Sequence, residues 1–175
     1  MKLMKKIFFL LGLIIAAGCT NAQNKQAAPQ PPAVSKAQTG IPPFHILTTD
    51  SVYKTPADLK KNMPIMFVYF SPDCSHCQHM MYELKPRMKD FKDVQVVMIT
   101  FVSQIKAIQV FYRDFDLKKY PNWTVGTEGY TYVVQKYFDV HTTPYIALYD
   151  KNHKQVKSWD KAPGVDELAD AAKKL

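Results

Sequence analysis

From Ile65 to Phe70 the chain reads IMFVYF, six residues without a charge, closed off by Pro64 on one side and Pro72 on the other. A strand with one wet face would alternate apolar and polar residues. An unbroken apolar run between proline stops is instead the pattern of a strand buried on both faces. Whatever this chain folds into must therefore cover a sheet from two sides. Just beyond the run stands Cys74-Ser75-His76-Cys77, where strand spacing gives way to helical spacing. Cys77, Met81, Leu84, Met88 and Phe91 share one helical face, with a kink expected at Pro86.

The rest of the chain repeats that alternation. FHIL (44–47) is a strand candidate. TPADLKK opens like a helix, with Thr55 as N-cap, Pro56 in the first position and Asp58 in the third. VQVVMITFV (94–102) is a second buried strand. A helix follows with Ser103 as its expected N-cap and Ile105, Ile108, Phe111, Tyr112 and Phe115 on one face. WTVGT is short and extended, and YTYVVQKYF is a short helix. TPYIALYD, KNHK and QVKSW form a hairpin. VDELADAAKKL closes the chain as a helix with acids early and lysines late, matching the helix dipole. The order predicts an α/β fold: a mostly parallel sheet with helices on both faces and an antiparallel hairpin at one edge.

The first 18 residues, MKLMKKIFFLLGLIIAAG, have the basic start, apolar middle and small-residue exit of a secretory signal peptide. Ala16, Ala17 and Gly18 directly before Cys19 resemble the lipobox of bacterial lipoproteins, with Ala16 where Leu is commoner. That resemblance implies lipidation at Cys19, anchoring to an envelope membrane and a periplasm-facing protein. A plain cleaved signal with an unmodified Cys19 is the alternative. Residues 20–43 are rich in Gln, Asn, Ala and Pro, too polar to repay ordering, and read as a flexible linker. A single domain is then expected over residues 44–175. The formal charge of +8 falls to +5 without Lys2, Lys5 and Lys6, and the remaining lysines are scattered among acids. No basic helix interleaves with stacking aromatics, so nucleic acid is not an expected partner.

Export makes a disulfide sustainable. With Cys19 lipidated, Cys74 and Cys77 are the only thiols left. A bridge between them would close a loop of only a few residues and so remove little chain entropy, which makes structural stapling a poor reason for the pair. The strand-to-helix junction supplies a better one. It sets Cys74 at a helix N-terminus, where unpaired backbone N–H groups favour the thiolate, and Cys77 one turn further in on the buried face. One sulfur can attack and the other resolve, as thiol–disulfide exchange requires.

A Cys-x-x-Cys beside a βαβ pattern resembles a thioredoxin-fold thiol–disulfide oxidoreductase over about residues 44–175. The features that carry it are IMFVYF leading into Cys74-Ser75-His76-Cys77, Thr143-Pro144 opening a late strand, and the final hairpin and helix. An extra helix and strand between Ser103 and Val125, and TPADLKKN before the first central strand, resemble the membrane-anchored cytochrome-maturation branch. The resemblance implies a central mixed sheet with that helix and strand inserted, and a cis Pro144 beside the cysteines. Thr143 would offer backbone groups to an incoming peptide, and Ser71 and Pro72 would fix the approach loop. It implies no cofactor beyond the Cys74–Cys77 dithiol. The expected partners are envelope proteins with thiols or disulfides and an upstream electron donor or acceptor, met by a monomer. Asp73 stands where many relatives have Trp and would oppose a thiolate at Cys74; a protonated His76 would favour it. Val68 and Met80 occupy the positions of the acids that serve relatives as proton acceptors for the second cysteine.

Two other readings use the same residues. CSHCQH offers thiolates with His76 or His79 to copper or zinc, although no second ligand cluster has zinc-finger spacing. A peroxiredoxin-like peroxidase would have Ser71 in place, but Phe67 stands where that family has proline. Haem attachment would need His directly after Cys77, and Gln78 is there. His45, His79, His141 and His153 read as exposed, Met80, Met81 and Met88 as core, and Trp123 and Trp159 as packing residues.

Overall fold

A computed structural model describes residues 40–175. The signal peptide, Cys19 and most of the linker expected from the sequence lie outside the described residues. In chain order the elements are β1 (Ile46–Thr48), β2 (Tyr53–Lys54), β3 (Ile65–Tyr69), α1 (Ser75–Leu84), β4 (Gln95–Thr100), α2 (Ile105–Asp114), β5 (Trp123–Thr127), α3 (Val133–Phe138), β6 (Tyr145–Tyr149), β7 (Gln155–Trp159) and α4 (Val165–Lys173). The strands form one sheet in the order β2-β1-β5-β4-β3-β6-β7.

All five residues of β3 are buried, as the apolar run requires. Successive side chains point to opposite faces. Met66, Val68 and Phe70 enter a core with Cys77, Met81 and Leu84 of α1, Ile108 and Phe111 of α2 and Leu168 and Ala172 of α4. Ile65, Phe67 and Tyr69 enter a second core with Phe44, Val134 of α3, Val140 and Tyr149. The inserted α2 and β5 are present, and β5 lies between β4 and β1.

The sheet is less parallel than the alternation of elements suggests. Only β3–β4 and β4–β5 are parallel; β1–β2, β1–β5, β3–β6 and β6–β7 are antiparallel. Connector length explains the difference. Between β3 and β4 the chain runs through α1 and a 3-10 stretch, Lys85–Phe91, long enough to return it across the sheet. Before β6 it has a three-residue 3-10 turn, Gly129–Thr131, and the six residues of α3, the latter about 9 Å of helix against about 17 Å of strand. The chain therefore re-enters at the end where β3 stops, with Tyr145 opposite Tyr69, and β6 runs backwards.

Three local expectations change. TPADLKK makes a single 3-10 turn, Pro56–Asp58, with the Thr55 N–H donating to the Asp58 carboxylate at 2.8 Å. It stops because Gln95 captures the next backbone groups: its Oε1 accepts from Lys60 N–H at 2.6 Å and its Nε2 donates to the Lys60 carbonyl at 2.9 Å. The N-cap of α2 is Gln104 rather than Ser103, whose hydroxyl donates to Tyr130 at 3.0 Å. After α1 the helix tightens into 3-10 geometry, with Pro86 in its first turn.

Candidate active site

Strand β3 delivers the chain to a short loop, Phe70 to Asp73, at the edge of the α1 core. The loop is tied on both sides. Phe70 N–H donates to the Ile99 carbonyl at 2.9 Å, continuing the β3–β4 ladder, and Cys74 N–H donates to the Ser71 carbonyl at 3.1 Å. From within α1, Gln78 Nε2 donates to the Pro72 carbonyl at 2.7 Å. The Ser71 and Pro72 carbonyls are thus both engaged by the start of α1.

Cys74 is the N-cap of α1, with extended backbone (φ −77°, ψ 117°). It is partly exposed, Cys77 is fully buried, and both are free thiols. The Thr143–Pro144 peptide bond is cis, and the Cys74 thiol donates to the Thr143 carbonyl at 3.4 Å. Chain segments 69 residues apart in sequence therefore meet at one sulfur.

The two sulfurs have opposite electrostatics. Partial burial acts against charge on Cys74, but the nearby Thr143 side chain, the Cys77 thiol and the backbone N–H groups of Cys77 and His76 outweigh it. The Cys74 thiol is held below its ordinary value. Burial pushes the Cys77 thiol up to about 12; the negative charge of Cys74 adds to the rise, while the Ser71 backbone and the Thr143 side chain offset part of it. His76 acts on Cys74 through its backbone N–H; its side chain is exposed, as is that of Asp73.

Beside the sulfurs lies an open groove of about 870 Å³. Thr143, Pro144 and His76 line it, over a floor that includes Tyr69, Phe101 and Val140. Ser71 and Pro72 do not line this groove; Pro72 and Asp73 face a smaller recess on the other side of the loop, with Tyr82 and Val110. His79 and His141 are exposed as expected, yet both line the groove. The sequence reading also missed Glu128. This buried carboxylate accepts from Tyr69 Oη at 2.7 Å and from the Val134 and Gln135 N–H groups at 2.7 and 3.3 Å, tying the groove floor to the start of α3. It sits with Tyr69 on the sheet face opposite Cys77, so the position of a direct proton acceptor for Cys77 is not filled by it. Among the described residues, no three His, Cys, Asp or Glu side chains are grouped closely enough to hold a metal ion.

No protein-family model matches the chain, and no curated protein does. Solved structures do. A secreted disulfide oxidoreductase of Mycobacterium tuberculosis, described as homologous to E. coli DsbE, superposes with a TM-score of 0.65 at 20% identity, over 76% of this chain and 96% of that one. The exposed lipoprotein thioredoxin of Streptococcus pneumoniae gives 0.60 at 19% identity, over 75% and 98%. Copper-bound ScoI of Arabidopsis thaliana gives 0.62 at 17% identity, over 78% and 97%. The chain has a thioredoxin fold, α/β with a mixed sheet covered on both faces.

Proposed function

We propose that this chain is an exported thiol–disulfide oxidoreductase acting on proteins of the cell envelope. The observation that carries the reading is the asymmetry of its two sulfurs. Cys74 is reachable, sits at a helix N-terminus and is biased toward thiolate; Cys77 is buried and held as a thiol. In the reducing direction, the Cys74 thiolate attacks a substrate disulfide and forms a mixed disulfide, and the departing substrate sulfur takes a proton. Cys77 then loses its proton and attacks Cys74. The second substrate sulfur leaves as a thiol, and the Cys74–Cys77 disulfide carries the two electrons' worth of oxidation. Oxidation of a substrate dithiol is the same sequence reversed. Either direction needs a second thiol or disulfide partner to reset the pair. Thr143 and Pro144 border the peptide's path, and no organic cofactor is needed because the dithiol is the redox group.

Export and lipid attachment at Cys19 are part of the proposal. They rest on the first 19 residues, and the secreted and lipoprotein descriptions of two fold neighbours are consistent with them. Among the described residues no helix is long and apolar enough to cross a membrane. The test is a Cys77→Ala variant in cells. It should accumulate mixed disulfides through Cys74 with envelope proteins; a variant that is exported and folded but captures none would refute the protein-substrate reading. If the purified oxidised protein gains no free thiols with a mild dithiol reductant and instead takes up one copper ion at the cysteines, the carrier reading replaces it.

A further inference from the structure

Three of the chain's five histidines line the groove beside the sulfurs. His76 and His79 lie one helical turn apart on α1, and His141 comes from the loop that leads to Thr143. Nothing in the exchange chemistry requires this convergence. The acids and bases around it are few. Lys161 and Glu83 complete the charged lining; His79 Nε2 is 3.3 Å from Glu83, and His141 Nε2 is 3.4 Å from Asp139. Cys74 does not line the groove but contacts Thr143, which does; Asp73 faces the recess across the loop, and Asp160 follows β7 next to Lys161, its backbone oxygen accepting from Thr142.

With the imidazoles neutral, the lining carries one positive charge, on Lys161, and one negative, on Glu83. Each imidazole that takes up a proton adds one, so the same lining reaches +3, or +2 counting Asp139 beside His141. The floor beneath is apolar, so a peptide lying along it is held close to that rim, where charge on its side chains is felt. We propose that this groove selects cysteine-bearing peptides with acidic residues beside the cysteine, and does so increasingly as the three histidines take up protons. The inference rests on the exchange reading given above. It assigns the histidines to substrate choice, whereas the sulfurs and Thr143 supply the chemistry.

The test compares two model peptides, each disulfide-linked to the same coloured thiol, one with Glu and one with Gln on both sides of the cysteine. Cys74 attacks both, so the ratio of their second-order rate constants cancels its ionisation. Free glutamate, with an ordinary pKa of about 4.3, stays charged across the range used. At low salt the Glu/Gln ratio should rise about three- to tenfold between about pH 8 and about pH 5.5. The double variant H79Q/H141Q should lose at least about half of that rise on a logarithmic scale. Those side chains are 75% and 79% exposed, so their replacement leaves packing intact. A ratio that stays flat with pH, or a rise that survives in H79Q/H141Q, overturns the inference while leaving the exchange reading standing. No exchange with either peptide overturns both.

Discussion

Cys74 and Cys77 lie one helical turn apart, made of the same atoms, and the fold gives them opposite chemistry. Cys74 caps α1, with backbone N–H donors from its own helix and Thr143 beside it; Cys77, on the same helix, faces a core with Met66, Phe70, Met81 and Phe111. The difference teaches that the tetrapeptide is not itself the catalyst. On the proposed exchange reading, a helix N-terminus makes the attacking sulfur, and burial makes the resolving one, which ionises only when its surroundings change.

The sharpest way to break that division is to remove one sulfur at a time. Cys74→Ala should lose exchange with disulfide peptides by about a thousandfold or more, because the sulfur left behind is buried and protonated. Cys77→Ala should keep the first attack and fail to release the mixed disulfide. Stopped-flow exchange and intact mass measurements distinguish the two. Equal losses in the first step would mean the sulfurs are interchangeable.

Alkylation of the reduced protein at neutral pH gives a second, smaller contrast. A thiol held below the ordinary value against one at about 12 should react at least about 30-fold faster, since its larger thiolate fraction is partly offset by lower nucleophilicity. Burial of Cys77 widens the gap further. Peptide mapping after a short pulse of iodoacetamide should find the label on Cys74; comparable labelling of Cys77 would mean that α1 does not shield it.

A third contrast is in stability, about 1.4 kcal/mol per pH unit, and its sign differs between the cysteines. Cys77 has a raised folded-state pKa, so the unfolded chain releases its proton first as pH rises. The native state should lose about 1.4 kcal/mol for each pH unit above about 9, until pH reaches the folded value. Cys74 has a lowered folded-state pKa, so its contribution is present above the ordinary thiol range and lost as pH falls through the folded value. Denaturant melts of reduced Cys74→Ser and of Cys74→Ser/Cys77→Ser isolate the Cys77 effect from tyrosine titration. Parallel pH dependence in the two variants would contradict the buried assignment.

Much of this arrangement could be read from local pattern. The apolar run at 65–70, the helical stripe starting at Cys77 and the hairpin at 145–159 depend on neighbours in sequence, and their outlines hold. What escaped depends on distant neighbours. TPADLKK has a helix's opening residues, but Gln95, 35 positions on, takes Lys60's backbone groups and ends it. The two-residue strand β2 carries no periodicity at all and exists because β1 pairs with it. Glu128 looks like an exposed acid in a Gly-Tyr turn; its burial follows from Tyr69 and the start of α3 both needing its oxygens. The spacing of His76 and His79 was legible, whereas His141 joins them only because the chain turns into β6 at the end of the sheet where β3 finishes. Cys74 and Cys77 were legible as a pair, but the contact of Cys74 with the Thr143 carbonyl needed the folded loop.

The most direct test is the ionisation of Cys74 itself, followed by ultraviolet thiolate absorbance in a Cys77→Ser variant so that only one of the two sulfurs titrates. A midpoint below the ordinary thiol value of about 8.5 is the expected result. A midpoint at or above it would mean that partial burial outweighs the N–H groups of α1 and the other groups around the sulfur, and that Cys74 is not the activated sulfur.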